Sequence, residues 1–120
     1  MKLDHECVRD LLLAIESVET IYSFDLEPFH KEQVVLQKYS YKTLCHTAIL
    51  LNDGNFLIAK DKQFYDGMVN VEIFRITPKG YEFLAKIKDL KKWKQILAKA
   101  SKLGEISLPI IAQIAWDIVR

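Results

Sequence analysis

The 120-residue sequence predicts one α+β domain in which helices pack against a small antiparallel sheet. Half of the residues are hydrophobic, enough for one core in a chain of about 100 to 150 residues. Apolar residues recur at helical spacing in most segments, whereas two central segments have the alternation of strands. Candidate capping and turn residues separate these segments, so the hydrophobic periodicity and the capping residues predict the same elements.

The N-terminal third predicts a helix, a strand and a second helix. LDHECVRDLLLAIESVE begins with Asp4 as a candidate N-cap and repeats apolar residues on one helical face. The alternation in TIYSFDLE predicts a short, half-buried strand that Pro28 ends. PFHKEQVVLQKY regains helical character, and Pro28 suits the first turn of that helix.

A third helix is predicted from Ser40, its N-cap, to Asn52, with Asp53-Gly54 ending it. The helical period turns Leu44 and Cys45 inward. It places four polar side chains on the exposed arc: Lys42, Thr43, His46 and Thr47.

The remaining sequence predicts a hairpin and three helices. FLIAK and VNVEIFRIT have strand character, and an Asp66-Gly67 turn lies between them. TPKGYEFLAKIK starts with Thr77 as N-cap and Pro78 at the first helical position. DLKKWKQILAKASKLG has an apolar face, with Lys91, Lys92, Lys99 and Lys102 opposite, and Gly104 ends it. SLPIIAQIAWDIVR begins with Ser107 as N-cap.

The predicted order of helix, strand, helix, helix, strand, strand is that of a winged helix. In that arrangement the third helix is usually presented to DNA, and the hairpin forms the wing. We therefore expect a winged-helix-like core over residues 1–88 and a helical extension over residues 89–120.

Three blocks carry a family resemblance: LCHTAILLNDGNFL, ITPKGYEFLAKIKD and WKQILAKASKLGEISLPIIAQIA. They resemble an uncharacterised family of small bacterial and phage proteins, a domain-of-unknown-function family with a winged-helix-like fold. The family pattern is matched at His46, Leu50, Leu51, Gly54, Thr77, Gly80, Phe83, Leu84, Trp93 and Gly104. The chain departs from it at Tyr81, where histidine is common, and at Asn55-Phe56. The resemblance implies the fold and brings no activity with it.

Charge is distributed unevenly along the chain. Residues 1–36 hold eight acids and three bases, whereas residues 37–102 hold thirteen bases and six acids. A basic face attracts the phosphates of nucleic acid by releasing counterions. With the fold, this predicts a DNA-binding or transcription-regulatory role. The expected contact residues lie on the third helix and the wing: Lys42, Thr43, His46, Thr47, Lys60 and Lys62.

Two observations leave other interpretations open. The third helix offers no arginine or glutamine for base readout, only Asn52 at its end, and lysines also serve simply to solubilise helix surfaces. The apolar segment ISLPIIAQIAWDIV either completes the core or pairs with a second copy to form a homodimer. The alternative function is therefore a protein–protein interaction module without nucleic-acid binding, encoded by a phage or mobile element.

Enzymatic and metal chemistry are not expected. Adjacent helical residues such as Cys45 and His46 point about 100° apart and cannot converge on one metal ion. The four glycines form no phosphate-binding loop, and no catalytic motif or cofactor motif is present. The acids near the N-terminus, and the absence of a long apolar run, predict a cytoplasmic protein that does not contact a membrane. Cys7 and Cys45 are expected to be buried, reduced thiols.

Overall fold

The elements of the computed structural model follow the predicted order. The structure describes residues 3–18, 21–63, 69–104 and 107–118. Within them the elements are α1 (His5–Glu16), β1 (Phe24–Asp25), α2 (Leu26–Glu32), a 3₁₀ turn (Val34–Leu36), α3 (Tyr41–Asp53), β2 (Leu57–Gln63), β3 (Val69–Ile76), α4 (Pro78–Ile87), α5 (Leu90–Lys102) and α6 (Leu108–Ile118). None of these helices has the length and apolar character that crossing a membrane requires.

The three strands form one antiparallel sheet in the order β1-β3-β2. The β2–β3 hairpin runs in register from the Leu57–Ile76 pair to the Gln63–Val69 pair, with an irregularity at Ile58/Ala59. The predicted Asp66-Gly67 turn lies outside the described residues. The α+β, winged-helix-like arrangement with C-terminal helices is thereby confirmed.

The second helix differs from its prediction at both ends. Among the described residues 21–27 of the predicted strand over residues 20–27, only Phe24 and Asp25 pair with β3, and α2 already begins at Leu26, which is fully buried. Pro28 therefore lies in the first turn of α2. The N–H groups of a first turn have no acceptor within the helix, so the N–H that proline lacks costs no helical hydrogen bond there. The helix ends at Glu32, because Gln33 is extended and a 3₁₀ turn then brings Leu36 into the core.

Capping hydrogen bonds confirm the helix starts predicted at Asp4, Ser40, Thr77 and Ser107. Each N-cap oxygen accepts a backbone N–H three residues later, and Asp89 does the same for α5. The bonds are Asp4 with Cys7 at 3.1 Å, Ser40 with Thr43 at 3.1 Å, Thr77 with Gly80 at 3.0 Å, Asp89 with Lys92 at 2.9 Å and Ser107 with Ile110 at 3.4 Å. Local sequence signals therefore determine where these helices begin.

Gly80 brings α4 into contact with the start of β2. A Cβ atom at this position would lie 1.9 Å from the Phe56 carbonyl oxygen and 2.7 Å from Cγ2 of Ile76. The same carbonyl accepts the Thr77 N–H at 3.2 Å. The first turn of α4 therefore packs directly against the backbone that enters β2. A larger residue at position 80 would force the two apart.

One cluster of buried side chains extends from α1 to α6. The α6 helix contributes fully buried Ile111 and Ala115, so the apolar C-terminal segment contributes to the core. Trp93 of α5 is also buried, and its indole N–H donates to Glu6 on α1 at 3.4 Å. The division at residue 88 and a homodimer through the C-terminal helices stay predictions.

Candidate functional site

The α3 residues predicted to contact nucleic acid do not share one exposed surface. Lys42 is exposed, Thr43 is half-buried, and Thr47 is only 1% exposed. The Thr47 hydroxyl donates to the Thr43 carbonyl at 2.8 Å and interacts with the Cys7 thiol. The predicted exposure of Thr47 is wrong, because a threonine can satisfy its hydroxyl on the preceding helical turn and pack its methyl group in the core.

His46 is half-buried rather than fully exposed. Its Nε2 atom is enclosed by protein and has no hydrogen-bond partner among the described residues. Only Nδ1 is then available to a binding partner without a rotation of the ring. A nucleic-acid role for His46 remains a prediction, and its half-buried position is that of a residue at the rim of the exposed side of α3.

The outward face of α3 is mixed in character. Residues that are exposed or half-buried recur along it at the spacing of one helical face: Lys42, His46, Ile49, Leu50 and Asp53. This face has one base, one acid and two aliphatic residues. The amide oxygen of Asn52 accepts the Ala59 N–H at 3.1 Å, so this potential base-reading side chain is tied to β2. Such a face is poorly suited to hydrogen bonds with base edges.

The two wing lysines lie close to one carboxylate. Lys62 on β2 forms an ion pair with Glu72 on β3, and Lys60 is the direct cross-strand partner of Glu72. Glu72 also accepts a hydrogen bond from Ser23, next to β1. The ammonium of Lys62, followed by the Ser23 hydroxyl, holds the pKa of Glu72 below its usual value. The wing is therefore less basic than its lysine content indicates.

The unpaired positive charge is concentrated on α5. We call its five exposed lysines the lysine face: Lys91, Lys92, Lys94, Lys99 and Lys102. The helix has no acidic residue, and none of these lysines forms a salt bridge within the part of the chain that the structure describes. The opposite side of α5 is held in the core by Trp93, Ile96 and Ala100. The α5 helix consequently presents its lysines in a fixed orientation.

The sequence predicts four of these lysines, all but Lys94, on the polar side of this helix, but none of the five was predicted to belong to a site. The signal was five bases and no acid within the 13 residues of α5. The wing strand has two lysines with Asp61 between them, and only the strand register shows that Glu72 lies beside them as well. The difference between paired and unpaired lysines thus depends on tertiary structure.

A cavity of about 910 Å³ lies between the C-terminal end of α3, α4 and α6. It is lined by Leu50, Phe56 and Trp116, and by Lys79 and Lys86 of α4. No residue of this cavity was assigned to a site from the sequence. The cavity depends on how α6 packs, which residue spacing along the chain does not specify.

The cysteines do not contribute reactive groups. Cys7 and Cys45 are both buried and free, as predicted. Burial raises the pKa of the Cys7 thiol to about 12 and also raises the pKa of Cys45, so both stay protonated near neutral pH. Among the described residues, no group of three or more histidine, cysteine, aspartate or glutamate side chains is arranged to hold a metal ion.

Comparison with known proteins identifies a family. Neither the curated proteins nor the solved structures contain a match to this chain. The family model described as "Hypothetical protein (DUF2513)" matches residues 2–106. The predicted resemblance to a family of unknown function is thereby confirmed. The chain therefore belongs to the DUF2513 family.

Proposed function

We propose that this is a small, non-enzymatic cytoplasmic protein that binds duplex DNA through its phosphates. The observation that carries the proposal is the lysine face, five exposed lysines on a helix with no acid among its 13 residues, none of which forms an ion pair within the described residues. The carboxylate nearest in sequence is the N-cap Asp89, whose charge is felt by Lys91 and Lys92. Phosphate contacts of this kind position a protein on DNA without reading sequence. A regulatory role would then depend on where the protein is recruited rather than on recognition of bases.

The dimensions of α5 suit a phosphate backbone. A 13-residue helix is about 20 Å long, which matches about six base pairs of duplex at 3.4 Å each. Lysine side chains are long and mobile, so several can reach phosphates from one helix without a fixed register. Each phosphate neutralised releases condensed counterions, and this release supplies most of the affinity of such a contact.

The packing of α5 argues against an anionic membrane as the partner. Amphipathic helices bind bilayers by inserting an apolar face beside a basic one. The centre of the apolar face of α5 is occupied by the core, where Trp93 is 1% exposed and Ile96 and Ala100 are fully buried, and only the leucines at the two ends of the face, Leu90 and Leu103, are exposed among the described residues. The lysine face is therefore available to a polyanion at the surface, whereas insertion would require α5 to leave the core.

The second candidate is a protein–protein interaction module, and the outward face of α3 favours it. Ile49 and Leu50 are only partly buried there, between the charged residues Lys42 and Asp53. Partly exposed aliphatic groups framed by opposite charges are more typical of a protein contact than of a DNA-reading helix. In this alternative the lysines of the lysine face bind no partner and only make the exposed surface of α5 hydrophilic.

Binding to a short fluorescent duplex, measured over a series of salt concentrations, tests the proposal. If four lysines of α5 contact phosphates, the logarithm of the binding constant falls with a slope of about −3.6 against the logarithm of salt concentration. The double variant Lys91→Gln/Lys99→Gln is expected to reduce the size of that slope by about 1.8. The matched control, Lys60→Gln/Lys62→Gln on the wing, is expected to change it less.

Three results would contradict this function. Absence of salt-dependent binding at low ionic strength would leave the interaction module as the better explanation. A larger loss in the wing variant than in the α5 variant would move the contact back to the wing. A strong preference for one duplex sequence would show base readout that α3 is not expected to make.

A further inference from the structure

Arg9 connects the first helix to the corner between α4 and α5. Its Nε atom donates to the Ile87 carbonyl at 2.9 Å, and its Nη2 atom donates to the Lys88 carbonyl at 2.9 Å. We propose that Arg9 is a positioning residue that holds the start of α5, and with it the nearest residues of the lysine face, Lys91 and Lys92. The positioning itself does not depend on DNA binding, whereas its consequence for affinity rests on the proposed function.

The corner leaves carbonyl groups without partners inside a helix. The α4 helix ends at Ile87, α5 begins at Leu90, and only Lys88 and Asp89 lie between them. The last carbonyls of a helix accept no N–H within it, and they carry the negative end of the helix dipole. A guanidinium matches two such oxygens because it is planar, permanently charged and rich in N–H donors. Arg9 forms no salt bridge with a carboxylate of the described residues, so its charge is directed at these carbonyls.

Two acids on the same face of α1 contact this region as well. Glu16, the last residue of α1, pairs with the Lys88 ammonium at 2.8 Å. Glu6 accepts the indole N–H of Trp93, in the first turn of α5, at 3.4 Å. Glu6, Arg9 and Glu16 are spaced by three and seven residues, so they lie on one face of the helix. One polar stripe of α1 thus contacts the end of α4, the connecting residues and the start of α5.

These polar contacts add what apolar packing does not provide. The hydrophobic effect is non-directional, so burial of its apolar side determines which side of α5 faces the core. Hydrogen bonds are directional, so the two Arg9 bonds restrict where the corner lies relative to α1. Lys91 and Lys92 follow Lys88 by three and four residues, and a shift of the corner therefore moves both of them.

Distances between spin labels test the positioning without DNA. The labels are attached to cysteines introduced at Val34, which is 82% exposed, and at Leu90, which is 54% exposed, while both native cysteines are buried. In Arg9→Met we expect a broader distribution of label distances, or a mean shifted by about 3 Å, the rise of two helical residues. The matched control is Arg75→Met, which removes an exposed arginine of β3 and should leave the distribution unchanged.

A comparison of variants relates the positioning to DNA binding. In the salt series with the fluorescent duplex, loss of the phosphate contacts of both Lys91 and Lys92 reduces the size of the slope by about 1.8. Arg9→Met should reduce it by about 0.9 to 1.8 and add little to Lys91→Gln/Lys92→Gln, because these changes act through the same contacts. Its effect should add fully to that of Lys102→Gln at the other end of α5. Arg9→Lys keeps the charge but lacks the planar fork, so it should weaken binding nearly as much as Arg9→Met.

Each part of the inference has a result that would overturn it. An unchanged distance distribution in Arg9→Met would refute the positioning. A changed distribution with unchanged affinity for DNA would refute its consequence for binding. Full additivity with Lys91→Gln/Lys92→Gln, together with normal binding by Arg9→Lys, would make Arg9 a direct phosphate contact instead. If the wild-type protein binds no duplex, the proposed function fails, and the label distances still decide the role of Arg9. If Arg9→Met does not fold, Arg9→Lys takes its place in the distance measurement.

Discussion

Replacing Gly80 by alanine is expected to destabilise the protein, although it lies in a helix. Alanine is normally preferred over glycine within a helix by about 1 kcal/mol. Here the added Cβ atom would lie 1.9 Å from the Phe56 carbonyl oxygen. Ordinary contact requires roughly another 1.5 Å, so the start of α4 must move away from β2.

The size of the effect follows from what that movement disrupts. Overpacking a well-packed core typically destabilises a protein by about 1 to 3 kcal/mol. The hydrogen bond from the Thr77 N–H to the Phe56 carbonyl, at 3.2 Å, is lost or lengthened as well, which adds about 1 kcal/mol. Less the gain in helix propensity, we expect a net loss of about 1 to 3 kcal/mol. For a chain of this size, that lowers the melting temperature by roughly 4 to 12 °C.

The measurement is urea unfolding followed by circular dichroism, with a thermal melt as a second probe. Gly104→Ala is the matched control, because Gly104 has a positive φ of 79° and a Cβ atom added there would meet no atom of the described residues within 4 Å. It should lose only about 1 to 2 kcal/mol through backbone strain. A Gly80→Ala protein as stable as the wild type would refute the close packing of α4 on β2.

Three further predictions concern stability. His46→Ala should change the free energy of unfolding by less than about 1 kcal/mol in a thermal melt, because lost packing is offset by removal of the unpaired Nε2; a much larger loss would show a structural histidine. Cys45→Asp should unfold the protein or weaken it by more than about 3 kcal/mol, since the site is 7% exposed and the charges that act on it are those of the acids Asp61 and Glu27, whereas Cys45→Ala should be much milder in the same melt. The pKa of Glu72 is lower in the folded state, so its stabilising contribution is present above the unfolded-state pKa, near 4.3, and is lost as pH falls through the folded-state value. Wild type and Glu72→Gln should therefore differ in urea stability near neutral pH and converge in acid; a constant difference would contradict the role of Lys62.

The predictable parts of the fold were those that depend on local chemistry. The caps at Ser40, Thr77 and Ser107 were correctly predicted from the sequence because each needs only its own helix turn. The boundaries of β1 and α2 were wrong, since pairing with β3 and burial of Leu26 decide where the strand stops. Thr47 was placed on the wrong side of α3, because its hydroxyl was given more weight than its spacing of three residues from Leu44 and four from Leu51. That hydroxyl is satisfied by the Thr43 carbonyl on the preceding turn.

The candidate site was less predictable because it depends on which charges meet in space. Lys62 and Lys91 are equally basic in sequence, yet Lys62 lies beside Glu72 and Lys91 lies on a helix without acids. The position of Glu72 is set by the β2–β3 register, and register is specified by the whole hairpin rather than by one residue. The basic surface was consequently expected on the third helix and the wing, whereas most exposed lysines without an ion pair among the described residues lie on α5.

The position of α6 constrains what α3 can do. Leu50 and Asp53, at the C-terminal end of α3, face the same cavity as Trp116 and Pro109 of α6. A partner that approaches this end of α3 therefore meets α6 as well, unlike a recognition helix that enters a DNA groove unobstructed. Lys42, at the other end of α3, is the exposed base left for a backbone contact there. The crowding of this end of α3 by α6 supports the proposal that phosphate contacts are made by α5 rather than by α3.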